Sequence, residues 1–276
     1  MTGSVGADAR DNALVSVRSA DGTTIALEQV SSGGPHLLMV AGATNDRRAW
    51  AGVAGLLPQH FSCWLMDRRG KGDSTDTEPY GLDREYEDVA AAVSRFDQPV
   101  FLAAHSSGAI CALGAVAGGL PLAGLVLYEP PWPVEGPNPG VDCLDQIERR
   151  IAYGDPEAAL ELALRVLVGA SSKVIADVRA SPIWAVRTSL VHTWPREVRE
   201  IERLPRDLGM LGGISVPTLF LRGEVTAPWL ARSTAALADA IASSSVVELA
   251  GQGHAALALA PHLVADAIRS WASPAS

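Results

Sequence analysis

Residues 100–108 read Val100-Phe101-Leu102-Ala103-Ala104-His105-Ser106-Ser107-Gly108, an apolar run that gives way to small residues and then to the helix-like segment 109–117. A serine held on a tight strand-to-helix turn needs small neighbours two positions before and two after it, because the strained backbone presses those positions against adjoining chain. Ala104 and Gly108 meet that need around Ser106, whereas a turn centred on Ser107 would put the bulky His105 at the first crowded position. The spacing therefore selects Ser106 as the candidate nucleophile. A helix opening just behind it leaves the Ser107 amide free to face a developing oxyanion, a contribution of about 2.7–4 kcal/mol.

Outward from this turn, further apolar runs end abruptly in Gly, Asp, Ser or Pro. They are Leu37-Leu38-Met39-Val40, Cys63-Trp64-Leu65-Met66, Leu125-Val126-Leu127-Tyr128, Thr218-Leu219-Phe220-Leu221 and Val246-Val247-Glu248-Leu249. Such runs read as parallel strands buried on both faces. Helix-like segments at 84–96, 109–117, 231–242 and 261–271 alternate with them, which predicts an α/β fold with a mostly parallel central sheet flanked by helices. Residues 14–17 and 24–28 flank Asp21-Gly22, the signature of an antiparallel edge hairpin. From 134 to 211 the pattern changes to helix without strand, with helices expected over 141–153, 156–168, 172–180 and 197–211. Residues 1–133 and 212–276 are thus expected to form the core and 134–211 an inserted helical lid. The charge-free stretch 98–128 is broken by Ser106-Ser107, Gly118-Gly119 and Pro121, so it reads as buried core and not as a membrane span.

Composition narrows the function. The 276 residues are 48% hydrophobic and carry a formal charge of -9, with basic residues scattered or in short pairs. That balance argues against nucleic acid and anionic membrane as partners and leaves a small-molecule substrate. Cys63, Cys111 and Cys143 lack metal-ligand spacing and read as reduced and structural. No metal-binding cluster and no Gly-rich phosphate loop is present, so no cofactor is expected. The opening Met1–Arg10 shows neither an export nor a transit pattern, which points to the cytoplasm.

Five motifs in order resemble the α/β-hydrolase superfamily across nearly the whole chain. They are Val40-Ala41-Gly42-Ala43, Asp67-Arg68-Arg69-Gly70-Lys71-Gly72-Asp73-Ser74, the Ser106 turn, Leu127-Tyr128-Glu129-Pro130-Pro131 and Gly251-Gln252-Gly253-His254. The resemblance implies that His254 is the base, His105 supports the turn, and the Asp67–Ser74 stretch is scaffold. An imidazole suits the role because its pKa lies near neutrality. The resemblance further implies an oxyanion hole from the amides of Ala43 and Ser107, although Ala41-Gly42 replaces the usual His-Gly pair.

The third catalytic member departs from the common pattern. Thr226 occupies the usual Asp position after the strand 218–221, and a hydroxyl cannot supply the charge that stabilises an imidazolium. Glu129 is favoured as the acid, since some superfamily members, certain haloalkane dehalogenases among them, place it at that earlier strand end; Glu224 and no acid at all are the alternatives. Ala41, Gly42, Thr44, Trp132, Trp184, His192 and Trp194 are expected to contact substrate, with lid aromatics that merely pack as the competing reading. The implied activity is a serine hydrolase acting on an ester, lactone, thioester or related acyl bond of a small apolar molecule. A non-hydrolytic tailoring enzyme and an inactive ligand-binding protein are the other two readings.

Overall fold

The computed structural model describes residues 13–273. The opening Met1–Arg10, in which no export signal is read, lies outside the described residues. One eight-stranded sheet organises the rest, built from β1 (Ala13–Arg18), β2 (Thr24–Gln29), β3 (His36–Val40), β4 (Ser62–Met66), β5 (Phe101–His105), β6 (Gly124–Tyr128), β7 (Thr218–Gly223) and β8 (Ser244–Leu249). Its order is β1-β2-β4-β3-β5-β6-β7-β8. β2 pairs antiparallel with β1 and β4, and every other pairing is parallel.

The helices are α1 (Ala51–Ala54), α2 (Leu82–Val93), α3 (Ser107–Ala117), α4 (Leu144–Ala152), α5 (Pro156–Ala163), α6 (Ser172–Arg179), α7 (Ile183–Leu190), α8 (Trp194–Glu202), α9 (Pro228–Ala240), α10 (Ala256–Leu259) and α11 (Pro261–Ala272). Successive strand side chains point to opposite faces, and this alternation sorts the core into two layers. Leu38, Val40, Leu102, Leu127 and Phe220 pack with α2, α3 and α9, whereas Leu37, Met39, Ala103, Val126 and Leu221 pack with α1 and α11. The charge-free stretch 98–128 supplies β5, α3 and β6 at the centre. Among the described residues no helix is long and apolar enough to cross a membrane.

Three local expectations are revised. β8 is an edge strand, and Val246 and Val247 are exposed because only β7 flanks it. The helix expected over 197–211 is shorter and earlier, since α8 starts with Pro195 in its first turn and stops at Glu202, ahead of Pro205. Proline is pre-set for a first helical turn and forbidden in an interior. The segment 183–190, rich in β-branched and aromatic residues, forms α7, which its weak intrinsic helix propensity does not announce. Helices α4–α8 all lie between β6 and β7 and share their own apolar cluster, which includes Ile147, Leu160, Leu164, Trp184 and Trp194.

A buried charge cluster fastens these helices to the core. Arg68, just after β4, pairs with Glu85 of α2 at 2.6 Å and with Glu197 of α8 at 2.9 Å, and Lys71 pairs with Glu197 as well. All four side chains are at most 1% exposed. Burial raises the Glu197 pKa, but the field of Arg68 and Lys71 outweighs it and holds the carboxyl at about 2. Because that folded value lies below the ordinary 4.5, the stabilisation is complete above about pH 4.5 and is lost as pH falls toward 2. Removing the Glu197 carboxylate leaves the buried Lys71 without its ion-pair partner, at a cost of about 3–5 kcal/mol. Glu197→Ala should therefore lose about that much stability in urea titrations at pH 7, and its deficit relative to the unsubstituted protein should narrow between pH 4.5 and 2.

Candidate active site

The turn between β5 and α3 places Ser106 at φ 55° and ψ -127°. Its N–H donates to the Tyr128 carbonyl at 2.9 Å, and its own carbonyl accepts from Ala109 at 2.8 Å, so both backbone groups are satisfied despite the strain. The small-residue rule has a visible cause. A Cβ on Gly108 would stand 2.4 Å from the Ala41 carbonyl, and one on Gly42 would stand 2.9 Å from the Ser106 Cβ. The carboxyl end of β3 is thus pressed against the turn from both sides.

His254 lies on the loop after β8. The Tyr128 hydroxyl donates to the Gly253 carbonyl and accepts from the Ala256 N–H at 3.2 Å. His105 Nε2–H donates to the His254 carbonyl at 3.1 Å, with the two imidazole centroids 4.5 Å apart. Burial, with repulsion from His254 and Arg187, holds His105 well below the usual imidazole range, so it is neutral and serves as a fixed donor.

Ser106 Oγ–H donates to His254 Nε2 at 3.0 Å, and His254 Nδ1–H donates to Glu129 Oε2 at 2.6 Å. Glu129 is fully buried, sits at φ 46° just beyond β6, and takes the Gly223 N–H on Oε1 at 2.7 Å. An ionised carboxylate only accepts, which sets the tautomer that leaves Nε2 free to take the serine proton. Of the two carboxylates, Glu129 is the one in contact with the imidazole. Glu224 is exposed and accepts from the Gly251 N–H at 2.7 Å, closing its own loop.

Ser106 lies where a larger and a smaller cavity lobe meet, and His254, Val168 and Trp194 line both. Gly42 and Ala43 line the larger lobe, and Ser107 lines the smaller. Ala41 and Thr44 are buried in the loop behind Gly42 and Ala43. The other expected contacts fall elsewhere. Trp132 and Trp184 line neither lobe: Trp132 packs into the core with its indole N–H on the Pro205 carbonyl, and Trp184 packs among α4–α8 beneath Arg179. His192 is exposed, its Nδ1–H on the Ser189 carbonyl at 2.9 Å.

Leu164, Val198, Trp229 and Arg187 line the cavity without having been expected there. For Arg187 a signal existed, since it is the lone charge in Ile-Trp-Ala-Val-Arg-Thr-Ser-Leu, residues 183–190. Arg68 lines neither lobe but reaches the site from behind: its Nη1 donates to Ser107 Oγ at 2.9 Å, and that hydroxyl donates to Glu197 at 2.9 Å. The stretch read as scaffold therefore reaches the residue beside Ser106.

The alpha/beta hydrolase family model matches residues 37–267. An alpha/beta hydrolase from Sphaerobacter thermophilus is similar at 33% identity with a TM-score of 0.83, covering 94% of this chain and 100% of that one. An enol-lactonase from Burkholderia xenovorans shares the fold at a TM-score of 0.74 and 18% identity, covering 94% and 99% of the two chains. In sequence, the N-formylmaleamate deformylase of Pseudomonas putida is 37% identical over 116 residues, a stretch that spans 38% of this chain and 40% of the deformylase.

The two glutamates should separate cleanly by labelling rate with a fluorophosphonate followed by intact mass. Glu129→Gln offers an amide that favours the wrong imidazole tautomer, and the rate should fall by on the order of 10³–10⁴-fold. Glu224→Gln, a surface change, should stay within about twofold of the unsubstituted protein.

Proposed function

The chain belongs to the alpha/beta hydrolase family, and on that premise we propose that it cleaves an ester, lactone, thioester or related acyl bond of a small molecule through an acyl-serine intermediate. The observation that carries this reading is the unbroken hydrogen-bond chain from Ser106 Oγ through His254 to Glu129, at 3.0 and 2.6 Å. In the first step Ser106 Oγ attacks the carbonyl carbon while its proton passes to His254 Nε2. Glu129 stabilises the imidazolium without taking the proton. Charge gathers on the former carbonyl oxygen, which faces the amides of Ala43 and Ser107, and the latter opens α3 with its N–H outside the helix's own bonding.

Collapse of the tetrahedral species transfers the proton from His254 to the leaving group. Water, deprotonated by the same imidazole, then releases the acid and restores the serine. Two lobes diverging from Ser106 provide separate room for the acyl and leaving portions, and helices α4–α8 serve as the cap over them. That one similar protein is a deformylase and another an enol-lactonase agrees with an acyl-directed reaction.

A panel of p-nitrophenyl esters and lactones tests the proposal. Rapid mixing should show a burst of nitrophenol approaching one equivalent per enzyme, with an acyl adduct on Ser106 by mass spectrometry. Ser106→Ala should abolish both. Undiminished turnover in that variant would remove the acyl-serine reading.

A further inference from the structure

We propose that Arg187 binds a carboxylate of the substrate, so that the larger lobe takes an acyl compound with an apolar body and one anionic group. This deepens the acyl-serine reading and rests on it. Arg187 projects from α7 into the lobe that holds Ser106 and His254. The remaining lining of that lobe is mostly aliphatic, including Leu164, Val168, Val174, Val178 and Ile183. Arg187 is the one Asp, Glu, Lys or Arg among the described residues that line either lobe.

Its partners distinguish it from the other arginines largely withdrawn from solvent. Arg47, Arg68 and Arg69 each pair with carboxylates, and those pairs lift their pKa values. Arg187 forms no ion pair with any described residue. Its Nε–H donates to Thr44 Oγ1 at 3.1 Å. Thr44 is itself fully buried at φ 55°, an acceptor that holds the guanidinium through Nε, and neither Nη group has a hydrogen-bond partner among the described residues. Burial alone lowers the Arg187 pKa to about 10, so the group remains cationic at neutral pH while lacking a counter-charge. A guanidinium presents a planar fork that matches a carboxylate bidentately, and such a pair is stronger in a dry cavity than in water.

The alternative to ligand binding is that Arg187 only braces Thr44 and the adjoining loop at Gly42 and Ala43. The two roles differ in which substrates they affect. Matched esters supply the contrast: p-nitrophenyl butanoate against p-nitrophenyl hemisuccinate for a carboxylate on the acyl side, and phenyl against 4-carboxyphenyl butanoate for one on the leaving side. In one of these pairs the carboxylate should raise kcat/KM, and Arg187→Gln should reduce that preference roughly 10- to 100-fold. Equal losses on the charged and neutral members of both pairs, or no preference in the unsubstituted enzyme, would overturn the proposal.

A binding measurement keeps it separate from the acyl-serine reading. Calorimetry on Ser106→Ala with 4-phenylbutanoate and 4-phenylbutanamide needs no turnover. The acid should bind more tightly than the amide, and the double variant with Arg187→Gln should lose that difference. If fluorophosphonate fails to label Ser106 while this difference persists, the acyl-serine reading fails and the carboxylate site stands. If Ser106 labels and acid and amide bind alike, the carboxylate site fails alone.

Discussion

The backbone conformation of Ser106 is the constraint on which the site depends. A non-glycine residue held in such a region costs of order 1–3 kcal/mol, and it persists because the surroundings leave no alternative. β5 must lie beside β3 for Gly108 to ride on the Ala41 carbonyl, and Gly42 must lack a side chain for the serine to fit against it. The turn then divides labour between adjacent serines. Ser106 presents its hydroxyl to His254, whereas Ser107 turns its own toward Arg68 and Glu197. A substitution at Ser107 would therefore act on the charge cluster before it acted on chemistry.

The placement of Glu129 follows from the same edge of the sheet. β6 lies between β5 and β7, so a residue leaving its carboxyl end starts close to both the serine turn and the His254 loop. Glu129 leaves at positive φ, as Ser106 does one strand away, and its long side chain spans the gap. Its second oxygen is held by the Gly223 amide at the end of β7. A Cβ on Gly223 would stand 2.4 Å from the Gln252 carbonyl, so that strand end also abuts the His254 loop. The strand whose loop carries Thr226 thus anchors the Glu129 carboxylate that comes from its neighbour.

What was legible in the sequence was whatever is enforced by short-range chemistry. Strands β3 to β7 are buried from both faces, so their apolar runs are continuous and mark them, and the serine turn is marked by steric need at two nearby positions. β8 misled because an edge strand can carry the same valines into solvent. The helical segment was legible as helix but not as a surface. Trp184 and Trp194 lie ten residues apart with similar burial, yet one packs among α4–α8 and the other also lines both lobes. Which side of each helix faces the cavity is decided by tertiary packing that no local pattern encodes. The same holds for Arg68 and Glu197, 129 positions apart, whose pairing depends on where α8 docks.

The charged groups around Ser106 divide into two populations with opposite consequences. Behind Ser106, two cations and two carboxylates cancel, so the cluster holds α8 to the core without projecting a net charge into the cavity. Ahead of Ser106, Arg187 has no such counterpart, and its charge is felt as far as His105, where it helps to keep the imidazole neutral. Low local dielectric strengthens both effects, making the paired cluster costly to dismantle and the unpaired cation costly to leave without an anion. Helices α7 and α8, separated only by the turn Val191–Thr193, supply one charge to each population. The helices between β6 and β7 are therefore tied to the sheet at a defined place: α8 registers them against Ser107, beside Ser106, and that registration sets where α7 holds its guanidinium relative to Ser106.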